Sequence, residues 1–302
     1  MFSALCSTLV LITDFTRYTN SILVALKYPS AKFTEVSLRK TLLYNAFGLP
    51  AYWKSCRKAR FGMDIEQEKV QYGKHRRQYA LVVKDKDAIP GRYAFYFHGG
   101  AWTFGQPESF VPAAIPWLEL GFTVVFPSYR RPPQVGLDGI VADCRAAVAV
   151  LQPSETITHL HVGGISAGAH LAALLALRTD WWREAGWETG PQKSLVCAGP
   201  LSLGMLFPQA FFGRYVHLDP YCVLDEKSPK IEWHLLHGTD DGLVACAHSE
   251  AFHEKLVEIG HLADLHIISN GTHLDAGRWM FGGVGKQTVR DFLGADAGAR
   301  KG

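Results

Sequence analysis

The sequence predicts an α/β protein with a mainly parallel central sheet and helices on both faces. Short apolar runs typical of strands alternate along the chain with longer amphipathic stretches typical of helices, and this alternation favours a parallel sheet. A serine flanked by glycines stands where one strand turns into a helix. An acidic loop and then a histidine follow it, each directly after a predicted strand. In an open parallel sheet these strand ends lie at one edge, where ligands bind.

The other elements follow from the same patterns, in chain order. The sequence predicts strands at 78–84, 122–126 and 194–201, and helices at 107–120 and 137–151. Residues 203–229 break the rhythm with aromatic residues and prolines between two strands. Long insertions of this kind usually carry function.

The serine lies in Gly164–Gly168 (GISAG), after the apolar run 161–163 and before a predicted helix at 169–177. A serine on a sharp strand-to-helix turn adopts a strained backbone conformation, and small neighbours let the backbone pass close by. By itself the pentapeptide also fits a plain turn or a helix N-cap. His170, one helical turn after Ser166, points along the helix and ranks far below His273 as a base.

Three further segments occur in an order that suits acyl-transfer chemistry. Strand 93–97 runs into His98–Trp102 (HGGAW), whose missing side chains leave backbone N–H groups free to face a ligand. Strand 231–236 ends in an acidic loop that holds Asp240 and Asp241, and strand 265–269 leads to His273. The order serine, acid, histidine is the one expected for a nucleophile elbow on a parallel sheet.

These segments resemble the α/β-hydrolase superfamily, and within it the esterases with an HGG-type oxyanion loop, such as the hormone-sensitive-lipase-like and kynurenine-formamidase-like groups. The likeness covers the chain from Tyr93 to the C-terminus. It implies an α/β-hydrolase fold with a helical cap, Ser166 as nucleophile, His273 as base and Asp241 as acid. The family spacing G-x-x-D-x-x-V favours Asp241 over Asp240. The oxyanion donors it implies are the amides of Gly100, Ala101 and Ala167.

Two departures leave the subfamily open. The hormone-sensitive-lipase-like group usually has three glycines after the histidine and an acidic residue before the serine, where this chain has Ala101 and Ile165. The kynurenine-formamidase-like group accepts HGG-x-W, which Trp102 fits. A Tyr129-Arg130 pair after strand 122–126 also resembles these enzymes and supports the fold.

The chemistry implied is two-step acyl transfer. A neutral imidazole accepts the proton of the serine hydroxyl, a buried carboxylate holds the imidazole in the correct tautomer, and amide donors stabilise the tetrahedral oxyanion. We expect a carboxylesterase that cleaves esters of short to medium acyl chain and needs no cofactor. The alternatives are an arylformamidase acting on N-formylkynurenine-type amides, a non-catalytic hydrolase-like protein that binds a small ligand, and a lipase working at membranes.

The composition of the chain limits the kinds of ligand and partner to expect. With 302 residues, 48% of them hydrophobic, the chain can bury a large core, and its formal net charge of +3 gives no footprint for nucleic acid. Six scattered cysteines have no metal or redox spacing, so a reducing, cytoplasmic setting is expected. The pair His159 and His161 has no acidic or cysteine partner nearby, and we expect no metal site.

We expect residues 1–75 to form N-terminal helices within the cap, with an amphipathic region at 37–60 interrupted at Pro50, and residues 76–302 to form the catalytic domain. The apolar run 2–13 is too short to span a membrane and lacks a basic n-region. A helix lying on a membrane surface is the less favoured alternative. A cap insertion near 203–230 is expected to line an acyl pocket together with a residue of the oxyanion loop. The pocket candidates are Trp102, Phe207, Phe211, Phe212 and Tyr215.

Overall fold

An eight-stranded sheet forms the centre of the fold in the computed structural model, which describes residues 48–61, 64–152, 154–206 and 208–295. Its strands are β1 (Glu66–Gln71), β2 (Tyr79–Lys84), β3 (Arg92–Phe97), β4 (Thr123–Pro127), β5 (His159–Ile165), β6 (Lys193–Cys197), β7 (Glu232–Gly238) and β8 (Leu262–Ile268).

The strand order is β1-β2-β4-β3-β5-β6-β7-β8. The pairs β1–β2 and β2–β4 are antiparallel, and the remaining neighbours are parallel. The predicted mainly parallel sheet is confirmed. The strands that precede the glycine loop, the serine turn, the acidic loop and the histidine are β3, β5, β7 and β8, so all four segments leave one edge of the sheet.

Helices lie between the strands and pack on both sides of the sheet. The helices described are α1 (Leu49–Phe61), α2 (Ile115–Leu118), α3 (Leu137–Val150), α4 (Ala167–Leu177), α5 (Thr179–Glu184), α6 (Gln209–Phe212), α7 (Pro220–Val223), α8 (Ala247–Glu258) and α9 (Lys286–Gly294). Turns of 3-10 helix occur at Pro107–Ser109, Val111–Ala114, Leu203–Met205, Gly213–Leu218 and Asp275–Phe281.

Alternation along the strands divides the core into two layers. On β3, Phe95 and Phe97 belong to the layer beneath α3, α4 and α8, whereas Ala94 and Tyr96 belong to the layer beneath α1, α2 and α9. Burial on both faces is why these central strands are continuous apolar runs in the sequence.

The sheet begins earlier than the sequence predicted. Strand β1 lies inside the segment 1–75 that was assigned to N-terminal helices, so the boundary at residue 76 is wrong for this part. Its sequence EQEKVQ is polar and almost wholly exposed, and such a strand has no apolar alternation by which it could be found. Residues 1–47, which carry the other N-terminal predictions, lie outside the described residues, as does Phe207.

Prolines divide one of the predicted helices. The predicted helix 107–120 is two 3-10 turns followed by the short helix α2, because Pro107, Pro112 and Pro116 each remove a backbone donor. Pro50 is the second residue of the described helix α1, and the part of the region 37–60 that precedes residue 48 lies outside the described residues.

The insertion between β6 and β7 is a chain of short helical turns that packs on α4. Its last part is fixed by Asp219, which is almost fully buried and accepts hydrogen bonds from the N–H of Tyr221 at 3.0 Å and of Gly204 at 3.3 Å. One carboxylate therefore caps α7 and ties it to the start of the insertion.

Glycines permit the close packing of β3, β5 and α4. A Cβ placed on Gly168 would lie 2.0 Å from the carbonyl oxygen of Phe97, and one on Gly164 would lie 2.3 Å from that of Gly168. Both contacts are with backbone, which cannot rotate away. Gly168 is thus required by the contact of the turn with the neighbouring strand, and Gly164 by the tightness of the turn itself.

We predict that Gly168→Ala lowers the free energy of unfolding by about 2–3 kcal/mol, because the added methyl forces α4 away from β3. Urea denaturation monitored by circular dichroism measures this change. Gly294→Ala is the matched control, since the nearest atom to its added methyl would be 3.9 Å away. Equal stability of the two variants would contradict the packing argument.

Candidate active site

Ser166 occupies the turn between β5 and α4 with φ 57° and ψ −127°, a backbone conformation that residues other than glycine rarely adopt. Its N–H donates to the carbonyl of Cys197 at 2.8 Å, and its own carbonyl accepts from the N–H of Ala169 at 2.9 Å. The side chain is partly exposed. Strain of this kind persists where the surroundings fix the backbone, and it is common at functional sites.

The glycine loop that follows β3 lies against this turn. A Cβ on Gly99 would be 3.3 Å from the Cβ of Ser166. The next three residues have positive φ, with Gly100 at 128°, Ala101 at 48° and Trp102 at 59°. A side chain at position 100 would also meet the Phe104 carbonyl oxygen at 2.2 Å. The loop therefore folds tightly enough to bring its backbone up to the serine.

The predicted oxyanion donors are available for a ligand. Within the described ranges, the N–H groups of Gly100, Ala101 and Ala167 donate no hydrogen bond to protein. Ala167 is the first residue of α4, where the N–H has no partner inside the helix. Unpaired amides beside a partly exposed hydroxyl are the donors an oxyanion needs.

A residue that the sequence analysis did not single out anchors the far end of this loop. Arg131 is 8% exposed, and its guanidinium donates to the carbonyl of Gly105. The other end is held by the ring of His98, which stacks on Tyr129 with centroids 4.6 Å apart. Arg131 follows β4, so its partner could not be found from sequence spacing.

The acidic loop and the histidine loop meet through Asp241 and His273. The Nδ1 atom of His273 lies 2.7 Å from Oδ2 of Asp241, and both side chains are buried. The other carboxylate oxygen, Oδ1, accepts from the N–H groups of Leu243 at 2.8 Å and Val244 at 2.9 Å. Asp240 is partly exposed, and its N–H donates to the carbonyl of Gly271 at 2.8 Å. Of the two candidate acids, the structure brings Asp241 to His273.

Opposing effects act on the pKa of Asp241. Burial raises it, but the charge of His273 and the hydrogen bonds from His237 and His273 together lower it by a larger amount. The pKa of Asp241 therefore lies well below its usual range. The carboxylate is therefore ionised at neutral pH. With Nδ1–H bonded to this carboxylate, a neutral His273 carries its lone pair on Nε2.

The loop that carries His273 continues towards the serine turn. After His273 the chain forms a 3-10 turn in which a Cβ on Gly277 would lie 2.7 Å from Cδ1 of Ile165, the residue before Ser166. Asp275 fixes the start of this turn by accepting from the N–H and hydroxyl of Thr272, each at 2.7 Å. The histidine loop and the serine turn are thus packed neighbours.

A second histidine, which the sequence analysis passed over as part of the acidic loop, also contacts the acid. His237 is fully buried at the end of β7, and its Nε2 lies 3.1 Å from Oδ2 of Asp241. Its only sequence signal is its place one residue before Gly238.

Aromatic candidates for the acyl pocket form a connected group beside α4. Phe212 lies 6.1 Å from Trp102 and 5.1 Å from Phe211, between ring centroids, and Phe211 lies 5.9 Å from Tyr215. Tyr215 is buried, whereas 46% of Phe211 is exposed. Phe207 lies outside the described residues, so its predicted role stays a prediction.

His170 connects this group to the cap. Its Nε2 lies 2.8 Å from the carbonyl oxygen of Leu218, and its ring meets the Trp102 ring edge-on at 5.3 Å. Burial lowers the pKa of His170 to about 4, against a smaller opposite effect of the bond to Leu218. The neutral ring therefore donates its Nε2–H to the insertion.

The described ranges also bear on metal binding and on membrane insertion. They contain no group of three or more histidine, cysteine or acidic side chains arranged to hold a metal ion. His161 of the H-x-H pair accepts instead from the indole N–H of Trp117 at 3.2 Å. The five cysteines that fall in them are free thiols. None of their helices is long and apolar enough to span a membrane.

Comparison with known proteins gives a matching family and, among others, two related proteins. The family described as alpha/beta hydrolase fold matches residues 94–202. A kynurenine formamidase of Danio rerio is 40% identical over 87 residues, 28% of this chain and 29% of that protein. Esterase LipQ of Mycobacterium tuberculosis is 28% identical over 269 residues, 77% of this chain and 63% of that protein. This chain therefore covers less than two thirds of either relative.

Among solved structures, esterase B from Lactobacillus rhamnosis superimposes with a TM-score of 0.64. The match covers 87% of this chain and 95% of that one, at 17% identity. At this identity the likeness establishes the fold, which agrees with the strand order described above.

We predict that the stability of the protein falls as the pH drops from about 6.5 towards 4, in part through His170. An unfolded histidine binds a proton near pH 6.5, whereas His170 in the folded protein does so only near 4. Its contribution is fully present above pH 6.5, and between these values it changes the free energy of unfolding by up to about 1.4 kcal/mol per pH unit. His170→Gln, which keeps an N–H donor, should flatten urea-unfolding stabilities measured from pH 7 to 4.5. Parallel pH profiles for the two proteins would contradict this.

Proposed function

We propose that this chain, which has the α/β-hydrolase fold, is a serine hydrolase that cleaves carboxylic esters of short to medium acyl chain through an acyl-enzyme. The observation that carries the proposal is the 2.7 Å hydrogen bond between buried Asp241 and His273. It occurs on a loop packed against the strained turn of Ser166, where backbone amides are unpaired.

In the proposed reaction, Nε2 of His273 accepts the hydroxyl proton of Ser166 as Oγ attacks the ester carbonyl. Asp241 holds Nδ1–H and stabilises the imidazolium that forms. The amides of Gly100, Ala101 and Ala167 donate to the oxyanion, and His273 returns its proton to the departing alcohol. Water then attacks the acyl-enzyme with the same histidine as base, which releases the acid and restores Ser166.

The size of the acyl group is proposed from the aromatic residues of the glycine loop and the insertion. Trp102 belongs to the glycine loop, and its ring contacts both His170 and Phe212. Apolar rings grouped on this loop favour short and medium acyl chains, which they would cover with apolar surface.

Arylformamide cleavage is the second candidate, and a specific observation favours it. The 87-residue match to a kynurenine formamidase is 40% identical, and the loop reads HGG-x-W. The same residues would transfer a formyl group to Ser166 and release an arylamine. Turnover of p-nitrophenyl acetate, butyrate and octanoate compared with that of N-formylkynurenine distinguishes the two. We expect kcat/KM to be higher for the acetate or butyrate ester, and a higher value for the formamide would reverse the assignment.

We predict that Ser166→Ala abolishes hydrolysis of the preferred substrate while the protein remains folded, because loss of a triad nucleophile costs about 10⁶-fold in turnover. Labelling by a fluorophosphonate probe followed by peptide mapping should place the adduct on Ser166 of the wild-type protein. Ser202→Ala, on a buried serine of the cap, is the control and should still be labelled. Failure of the wild-type protein to react with the probe or any substrate would favour a non-catalytic binding protein.

We predict that Asp241→Asn lowers kcat by about 10³–10⁴-fold, because the amide no longer holds the required tautomer of His273. Asp240→Asn is the matched control, since it changes the same charge on the same loop but not the carboxylate that is bonded to Nδ1 of His273. Steady-state kinetics on the preferred ester measures both. A larger loss in Asp240→Asn than in Asp241→Asn would refute the choice of acid.

A further inference from the structure

We propose that His237 is a positioning residue whose Nε2–H holds the carboxylate of Asp241 in the orientation that binds His273. The inference deepens the proposed function and rests on it. It concerns a positioning side chain, and it assigns the acid a second imidazole partner at the oxygen that binds His273.

The contacts of His237 account for both ring nitrogens. Nε2 lies 3.1 Å from Oδ2 of Asp241 and 2.9 Å from the carbonyl oxygen of Val244. Nδ1 lies 2.7 Å from the hydroxyl oxygen of Ser249, a fully buried residue of α8. His237, Asp241 and Ser249 thus form a chain of buried polar groups that runs from α8 to the candidate acid.

Only one neutral arrangement of protons satisfies these contacts. The carbonyl of Val244 and the ionised carboxylate can only accept, so Nε2 must carry the hydrogen and donate to both. Nδ1 then accepts the hydroxyl proton of Ser249. The acceptors Asp241 and Val244 therefore select the tautomer of His237, and the hydroxyl of Ser249 matches it by donating to Nδ1.

The torsion about the last bond of the carboxylate is soft, so its orientation is set by the hydrogen bonds that it accepts. Two backbone N–H groups, of Leu243 and Val244, hold Oδ1. Oδ2 binds the Nδ1 of His273 at 2.7 Å and the Nε2 of His237 at 3.1 Å. His273 lies on a loop, whereas His237 is fixed in the sheet by pairing of β7 with β8. The rigid donor fixes Oδ2, and the loop histidine binds to the oxygen so placed.

The test compares two substitutions of similar length that differ in a single donor. His237→Gln keeps an amide N–H near the position of Nε2, and His237→Met fills the same space with no donor. A hydrogen bond to a charged group corresponds to about 10–100-fold in rate. We therefore expect His237→Met to lower kcat on the preferred ester by about 10–100-fold with KM little changed, and His237→Gln to recover most of that loss.

A second readout does not depend on any enzymatic activity. The ring N–H proton of His273 that is bonded to Asp241 should give a far-downfield NMR signal, assigned as the one lost in His273→Gln. We expect this signal to move or broaden in His237→Met and to stay in place in His237→Gln. If the wild-type protein cleaves no substrate, the proposed function fails, and the signal still decides whether His237 positions the acid.

Ser249→Ala is a second test for the case in which His237→Met does not fold. It removes the hydroxyl bonded to Nδ1 of His237 and leaves the contacts with Asp241 untouched. It should shift the His273 signal in the same direction, with a smaller loss of kcat. The proposal is overturned if His237→Met keeps kcat and the signal unchanged. It is also overturned if the Met and Gln variants lose activity and melting temperature equally, since a packing role would affect both alike.

Discussion

A buried negative charge is the constraint on which the candidate site depends. Asp241 is removed from water, and an unpaired carboxylate there would be far too costly to keep ionised. Two backbone N–H groups and two imidazoles surround it and keep it charged. The acidic loop, the end of β7 and the histidine loop must all be in place before this charge is satisfied, so the site forms only with the fold.

Close backbone contacts hold the four loops at this edge together, in addition to the side-chain contacts of Asp241 and Arg131. Gly99 lies against the serine turn, Gly168 against the end of β3, and Gly238 within 2.2 Å of a Gly271 carbonyl oxygen if a Cβ is added. At these three glycines no side chain separates one loop from the next. The positions of the Ser166 hydroxyl, the loop amides and the His273 imidazole therefore follow from the spacing of the strands. A parallel sheet sets that spacing, which is why chemistry spread over more than a hundred residues of sequence meets in one place.

The features that could be predicted from the sequence are those that depend on apolar strands and their order along the chain. Strands β3 to β8 and helices α3 and α4 overlap the predicted segments, although β6 ends at Cys197 and β8 begins at Leu262. The fold class is confirmed, and Asp241 hydrogen-bonds to His273 as the family spacing implied. Strand β1 was missed because its residues are polar, and the helix at 107–120 was overestimated because three prolines divide it. Interactions that close over long sequence distances could not be foreseen. Arg131 binds the carbonyl of Gly105, and His170 binds that of Leu218. Because every residue has a backbone carbonyl, the sequence does not show which one a side chain will bind.

The two fixed contacts of the insertion have a consequence for how such a protein can diversify. His170 and Asp219 hold the end of that segment, whereas Phe211 and Arg214 are exposed and contact each other and Tyr215. A substitution at Phe211 or Arg214 leaves both fixed contacts in place. Variation at these exposed positions can therefore arise without disturbing the packing beneath them, and this separation makes the scaffold easy to adapt.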